Sequence, residues 1–232
     1  MSEGKPLHLL AGGRSAVPGA NESLIREVFR ATGMKAPSIG YVGTASGDGE
    51  DFFRRMAGML GENGAGEVAH ALLTPPDADI AGAKSILARA DMICIGGGDV
   101  ETGMRILNDR RMAGFLAGLY RGGKPFFGLS AGSIMLAEKW VRWCDPHDDA
   151  TAEIFPCMGL APVLCDTHDE QGDWEELKVL LALQQEGVTG YGIVTGTALR
   201  VSPGGRVEAL GGAVHRYVRR DGEVKRMPDL MP

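Results

Sequence analysis

Short, almost uninterrupted apolar runs alternate with longer segments of helical periodicity along the first half of the chain, and this alternation admits very few architectures. Residues 7–11, 38–43, 67–72, 92–95 and 125–129 read as strands. Residues 22–32, 51–63, 80–90, 102–108, 112–120 and 133–139 place apolar side chains three and four positions apart, the spacing of one helix face. A strand that is apolar at nearly every position must be covered on both faces, and strands joined through helices run parallel. The expected fold is therefore α/β, a three-layer αβα sandwich on a mostly parallel, doubly wound sheet. Such sheets bind ligands beyond the carboxyl ends of their strands. After Gly187 the pattern changes to short β-like pieces at 191–194, 198–201, 207–210 and 214–218, read as a mixed sheet edge or terminal hairpins. Residues 1–226 are expected to form one domain, and 227–232, with two prolines, a flexible tail.

Composition narrows the function classes. The net charge is −6, and adjacent arginines occur only as isolated pairs, so no basic stripe exists for a phosphate backbone and nucleic acid is not an expected partner. No apolar run approaches bilayer-spanning length and the N-terminus lacks the pattern of a signal peptide, so no membrane association is expected. The four cysteines show no Cys-x-x-Cys spacing and do not form a secreted disulfide framework, which fits a cytoplasmic location. A homodimer is compatible with this composition.

The 35 glycines, about twice the usual share, cluster where strands should end. Glycine-rich polar turns at 11–14, 43–47 and 96–99 converge on one rim with Gly128-Leu-Ser130-Ala-Gly132, which follows an apolar strand and opens a helix. A serine on a tight strand-to-helix turn needs glycine on both sides, because a Cβ there collides with neighbouring backbone. This is a nucleophile elbow in sequence form, with backbone N–H groups placed to stabilise an oxyanion. A serine at its ordinary pKa needs an imidazole base, and the imidazole needs an acceptor to fix its tautomer. Of the five histidines, His8 and His70 lie inside strands upstream of the serine, and His215 begins a late strand. His168 is best placed, in a loop leaving the strand read at 161–165, before a helix near Asp173. Asp145 is one acceptor for it, restricted by the following proline; Asp148, Asp149, Asp166 and Asp169 compete.

These residues resemble the serine peptidases of the dipeptidase E and cyanophycinase family, built on the class I glutamine amidotransferase-like fold with its flavodoxin-like core. The resemblance spans most of the chain. It rests on the glycine turn at 96–99, the Gly-x-Ser-Ala-Gly stretch, an aspartate fifteen positions beyond Ser130 and a histidine thirty-eight beyond it. It implies Ser130 as nucleophile, His168 as base and then acid, and Asp145 as orienter, with Gly98 and Ala131 donating oxyanion N–H groups. The implied reaction is hydrolysis of a small peptide through an acyl-enzyme, with no metal and no organic cofactor. Gly97, Asp99, Asp169 and Arg14 are the expected substrate contacts, with Arg105 also near the rim.

The family pattern is broken at two places. Asp99 stands where members carry Asn or Gln, an acceptor replacing an amide donor. After His168, where aspartate-specific members are expected to hold basic residues, the chain reads Asp169-Glu-Gln-Gly-Asp-Trp-Glu-Glu176. An acidic rim favours a substrate amine or basic side chain. Alternatively, these acids form the outer face of a helix at 173–184 with Trp174, Leu177, Leu180 and Leu181 turned inward. Three other readings compete: an α/β-hydrolase esterase with His215 as base, a metal hydrolase using Asp145, His147, Asp148, Asp166 and His168, and a non-catalytic binding protein of the same fold.

Overall fold

The computed structural model describes residues 4–13, 17–145 and 148–232. Arg14 and His147 lie outside the described residues. Strands β1 (Leu7–Leu10), β2 (Ile39–Val42), β3 (Val68–His70), β4 (Met92–Ile95) and β5 (Phe126–Leu129) alternate with helices. Helix α1 (Ala20–Arg30) follows β1, α2 (Glu50–Glu62) follows β2 and α3 (Ile80–Arg89) follows β3. Helices α4 (Val100–Asp109) and α5 (Met112–Arg121) follow β4, and α6 (Ala131–Leu136) follows β5. The chain continues through a hairpin of β6 (Lys139–Trp143) and β7 (Ala152–Pro156), then β8 (Leu164–Thr167), α7 (Glu175–Ala182) and β9 (Thr189–Ile193). It ends in β10 (Ala198–Val201), β11 (Val207–Leu210), β12 (Val214–Arg220) and β13 (Glu223–Leu230).

The main sheet has the order β11-β10-β1-β5-β4-β2-β3, with β10 pairing antiparallel to both β1 and β11 and the other five strands paired in parallel. Alternate residues supply two separate cores. Leu7, Leu9, Ile93, Ile95 and Phe126 pack against α3 to α6, while Leu10, Tyr41, Met92, Cys94 and Phe127 pack against α1 and α2. Burial on both faces is why these strands read as unbroken apolar runs. The fold is thus mixed α/β with a mostly parallel sheet between two helical layers. A second sheet, β13-β12-β9-β8, is covered by α7, whose Leu177, Leu180 and Leu181 join Trp174 in a third core.

Three segments differ from the sequence expectation. Helix α6 stops at Leu136, and Lys139 opens β6 instead of closing that helix. The tail expected to fray pairs with β12 as far as Leu230. Pro228 is tolerated there because the register shifts between Val214 and Arg216, and a proline without an N–H is accommodated at such an irregularity on an edge strand. The strand read at 161–165 starts later, at Leu164, and runs to Thr167, which brings His168 directly onto the strand end.

One loop ties the sheet to the rim where the glycine turns meet. Asp48 sits in the left-handed region (φ 54°) after β2, a conformation an aspartate tolerates better than most residues. Its buried Oδ2 accepts the N–H groups of Leu73 and Thr74, each at 2.7 Å, and its Oδ1 lies 3.3 Å from His70 Nε2. Burial alone would raise the Asp48 pKa, but hydrogen bonding with His70, Leu73 and Thr74 outweighs it and holds the carboxyl below its usual range. Three residues earlier, the Ala45 carbonyl accepts the Asp99 N–H at 2.8 Å, so the β2 loop carries the turn after β4.

Asp48→Ala leaves two backbone donors unpaired and is expected to destabilise the protein by about 2–4 kcal/mol at pH 7. A carboxyl with a depressed folded pKa stabilises above its unfolded value, near 3.9, and loses that contribution as pH falls through the folded one. Urea unfolding of both proteins at pH 7 and pH 3.5 should therefore show a smaller difference at the lower pH; a constant gap refutes the linkage.

Candidate active site

Ser130 joins β5 to α6 with φ 53° and ψ −124°, a conformation that non-glycine residues rarely adopt. The surrounding packing enforces it. The Ser130 N–H donates to the Leu10 carbonyl at 3.0 Å, and the Ser133 hydroxyl donates to the same oxygen at 2.8 Å. The first turn of α6 lies directly on the sheet: a Cβ on Gly132 would collide with the Ile95 carbonyl, and one on Gly128 would come within 2.5 Å of the Ser133 nitrogen. Both glycines of Gly-x-Ser-x-Gly are required by close backbone approach.

His168 follows β8 and is held by its N–H on the Ile193 carbonyl at 3.0 Å. Its Nε2 lies 2.7 Å from Ser130 Oγ. With Nε2 unprotonated, the serine hydroxyl donates to it and Nδ1 carries the ring proton. Two residues with backbone donors, Gly98 and Ala131, line the same cavity as Ser130 and His168. Among the described residues, neither N–H has a hydrogen-bond acceptor. Gly98 has φ 143°, and a Cβ there would strike the Ala45 carbonyl, so the turn closes only with glycine.

Two cavities meet at Ser130, Gly98 and His168. One, about 390 Å³, is lined by Asp99, Asp166, Asp169, Glu175 and Glu176 together with Trp140. The other, about 440 Å³, is apolar and lined by Ile25, Phe52, Met56, Met59 and Leu129. The acidic wall is tied together by directed contacts. Asp99 Oδ1 accepts the Thr102 N–H at 2.7 Å and caps α4, Asp169 Oδ2 accepts the Glu175 N–H at 3.2 Å at the start of α7, and Trp140 Nε1 donates to Glu176 Oε2 at 2.8 Å.

Of the residues expected from sequence, Ser130, His168, Gly98, Ala131, Asp99 and Asp169 line the acidic cavity, and Gly97 lines the apolar one. Asp145 is exposed, on the turn between β6 and β7, and lines neither cavity. Arg105 is exposed on α4 and also lines neither. His215 packs its ring against Trp174 at 5.5 Å instead of facing Ser130. Among the described residues, no group of three His, Cys, Asp or Glu side chains is arranged to hold a metal ion. No helix among them is long and apolar enough to cross a membrane.

Sequence reasoning gave Asp166 only the roles of a competing acceptor for His168 and of one ligand in the metal-hydrolase reading. It is 5% exposed, with Oδ1 accepting the Thr167 N–H at 2.7 Å. Burial, reinforced by Glu176, pushes its pKa up to about 7, against the partial opposition of the Thr167 N–H. A carboxyl raised from 3.8 holds its proton more tightly when folded, so between about pH 4 and 7 stability falls as pH rises. Asp166→Asn removes that loss and is expected to stabilise the protein at pH 8 by up to about 4 kcal/mol while changing little at pH 4. Thermal unfolding across pH 4–8 reads this directly, and parallel curves for the two proteins contradict it.

Residues 7–208 match Peptidase family S51. No curated protein matches the chain. Among solved structures, a peptidase from an acI-B1 Actinobacterium is 18% identical with a TM-score of 0.70, covering 97% of this chain and 94% of its own. A protein assigned as peptidase E from Listeria monocytogenes EGD-e is 16% identical with a TM-score of 0.66, covering 89% of this chain and 98% of its own. These likenesses establish the shared fold, and the family match spans the strands, turns and helices that build the Ser130 site. The chain belongs to peptidase family S51, and it is a peptidase of the serine hydrolase class.

Proposed function

We propose that the protein hydrolyses short peptides through an acyl-enzyme formed on Ser130, with His168 as general base and acid. The observation that carries this reading is the 2.7 Å contact between Ser130 Oγ and His168 Nε2 on a strained strand-to-helix turn. In this reading the turn is a nucleophile elbow, as in dipeptidase E and cyanophycinase. His168 takes the hydroxyl proton as Oγ attacks the peptide carbonyl. The oxyanion forms against the N–H groups of Gly98 and Ala131, donors fixed in advance and therefore most effective on developing charge. Collapse passes the proton from His168 to the departing amine, and a water activated by the same imidazole releases the acyl group. The two modest cavities flanking Ser130 favour small peptides over folded chains.

The Ser-His-Asp assignment gives the orientation of His168 to Asp145. One observation favours a different carboxylate. Glu170, two residues beyond His168, accepts the Thr195 N–H, and hydrogen bonds from Thr195 and from its own backbone, with a smaller contribution from nearby His168, outweigh burial and hold Glu170 below its ordinary pKa. Thr195 borders the same space, since a Cβ on Gly13 would touch both Thr195 Cγ2 at 3.4 Å and His168 Cβ at 3.5 Å.

Ser130→Ala and His168→Ala are each expected to lower kcat on a cleaved peptide by roughly 10⁴-fold or more, with the double variant no worse than the stronger single one, because the pair acts as a unit. Activity surviving both substitutions removes the reading. Glu170→Gln is expected to cost roughly 10–100-fold in kcat and to exceed the loss in Asp145→Ala; the reverse order returns the orienting role to Asp145.

A further inference from the structure

We propose, on the serine-peptidase reading above, that the acidic cavity beside Ser130 is a subsite for an ammonium or guanidinium group of the peptide, received by Asp166 Oδ2. The apolar cavity takes an uncharged side chain on the other side of the scissile bond. The two cavities share Ser130, Gly98 and His168, so a carbonyl placed on Ser130 sends one end of the peptide into each.

The occupant of the acidic side follows from what its wall lacks. Among the described residues, five carboxylates line it and no lysine or arginine does. Three of the five are engaged within the protein: Asp99 and Asp169 cap helices and Glu176 holds Trp140. Asp166 is different. It is 95% buried by its 5% exposure, it faces the cavity, and among the described residues its Oδ2 has no hydrogen-bond partner. A buried carboxylate oxygen left without a donor is costly, and among the described residues no lysine or arginine lines the cavity to satisfy it. Arg142, on the neighbouring hairpin, is bound between Glu101 at 2.8 Å and Glu153 at 2.7 Å. A donor carried by the ligand would satisfy Asp166 Oδ2. A substrate carboxylate would meet an acidic wall with, among the described residues, no guanidinium to hold it, which disfavours an acidic side chain on this side.

A cation can reach this site from the peptide's free N-terminus or from a lysine or arginine side chain, and paired substrates separate the two. Peptides carrying Lys, norleucine or Glu beside a Leu residue, each with a free and an acetylated N-terminus, are compared by kcat/KM. The cationic member of each pair is expected to exceed its neutral counterpart by at least about 10-fold, the gain of a charge-assisted hydrogen bond in a confined site, and the Glu peptides to be slowest. A preference erased by acetylation assigns the α-ammonium, and one that persists between Lys and norleucine assigns the side chain. Equal rates across the set overturn the proposal.

Labelling of Ser130 by a fluorophosphonate separates failure of the subsite from failure of the catalytic reading. Labelled protein that cleaves all the peptides alike loses only the subsite. Protein that neither labels nor cleaves loses the catalytic reading, and the subsite is then decided by calorimetric titration of Ser130→Ala with the same peptides, where equal affinities overturn it. Asp166→Asn is expected to bring the cationic preference to within 2–3-fold. Should that variant fail to fold, Glu175→Lys, an exposed change on the cavity wall, is expected to reverse the preference; an undiminished preference in either variant refutes the assignment.

Discussion

The contact on which the site depends is backbone against backbone: the first turn of α6 resting on the carboxyl ends of β4 and β5. Side chains at 128 and 132 would hold these elements apart, and the Ser130 backbone would relax from its unfavourable φ. Strain of this kind costs on the order of 1–3 kcal/mol and persists only where packing over-determines it. Here the determinants are visible. The Leu10 carbonyl accepts both the Ser130 N–H and the Ser133 hydroxyl, and α6 is buried along all six of its residues. The strand that supplies this carbonyl is itself held by β5 on one side and β10 on the other. The seven-stranded sheet is therefore the device that holds one serine in an unfavourable conformation with its hydroxyl toward solvent-filled space.

Around that serine the field is lopsided. The apolar cavity borrows its walls from α1 and α2, helices whose inner faces also form a core. The acidic cavity borrows its walls from the starts of α4 and α7, where carboxylates belong for a second reason: they accept the unpaired N–H groups of helix N-termini and lie at the positive end of the helix dipole. Two helix N-termini facing one cavity thus bring acids to it without any demand from a ligand. Asp166 does not fit that account, since it lies in a strand and caps nothing.

Much of the site was legible in the sequence because its chemistry is local. The serine turn, the glycine turn after β4 and the placement of His168 at a strand end are all set by residues within a few positions of each other, and apolar continuity revealed the strands. The β6–β7 hairpin and β13 were not legible, for physical reasons. Trp140, Val141, Arg142 and Trp143 mix large and charged residues because that ribbon lies partly exposed, and a proline in the last strand signals a chain end until its register irregularity is known. Asp166 was hidden for a subtler reason. It shares its cavity with Trp140 and Glu176, which arrive from the hairpin and from α7, so nothing near it in the chain distinguishes it from a solvated aspartate.

The departure at Asp99 acquires a structural meaning in this light. An amide at that position would offer a donor toward the substrate, and it would also cap α4 less strongly in the helix field. The aspartate gives up the donor and accepts the Thr102 N–H, while its backbone N–H anchors on Ala45. That arrangement holds the turn on which Gly98 lines the cavity beside Ser130. The same residue that removes a substrate donor therefore stiffens the turn carrying one of the two backbone donors beside the serine. The carboxylate left on the cavity wall adds to the negative field there, so a single side chain both contributes to the charge of the cavity and fixes the turn after β4.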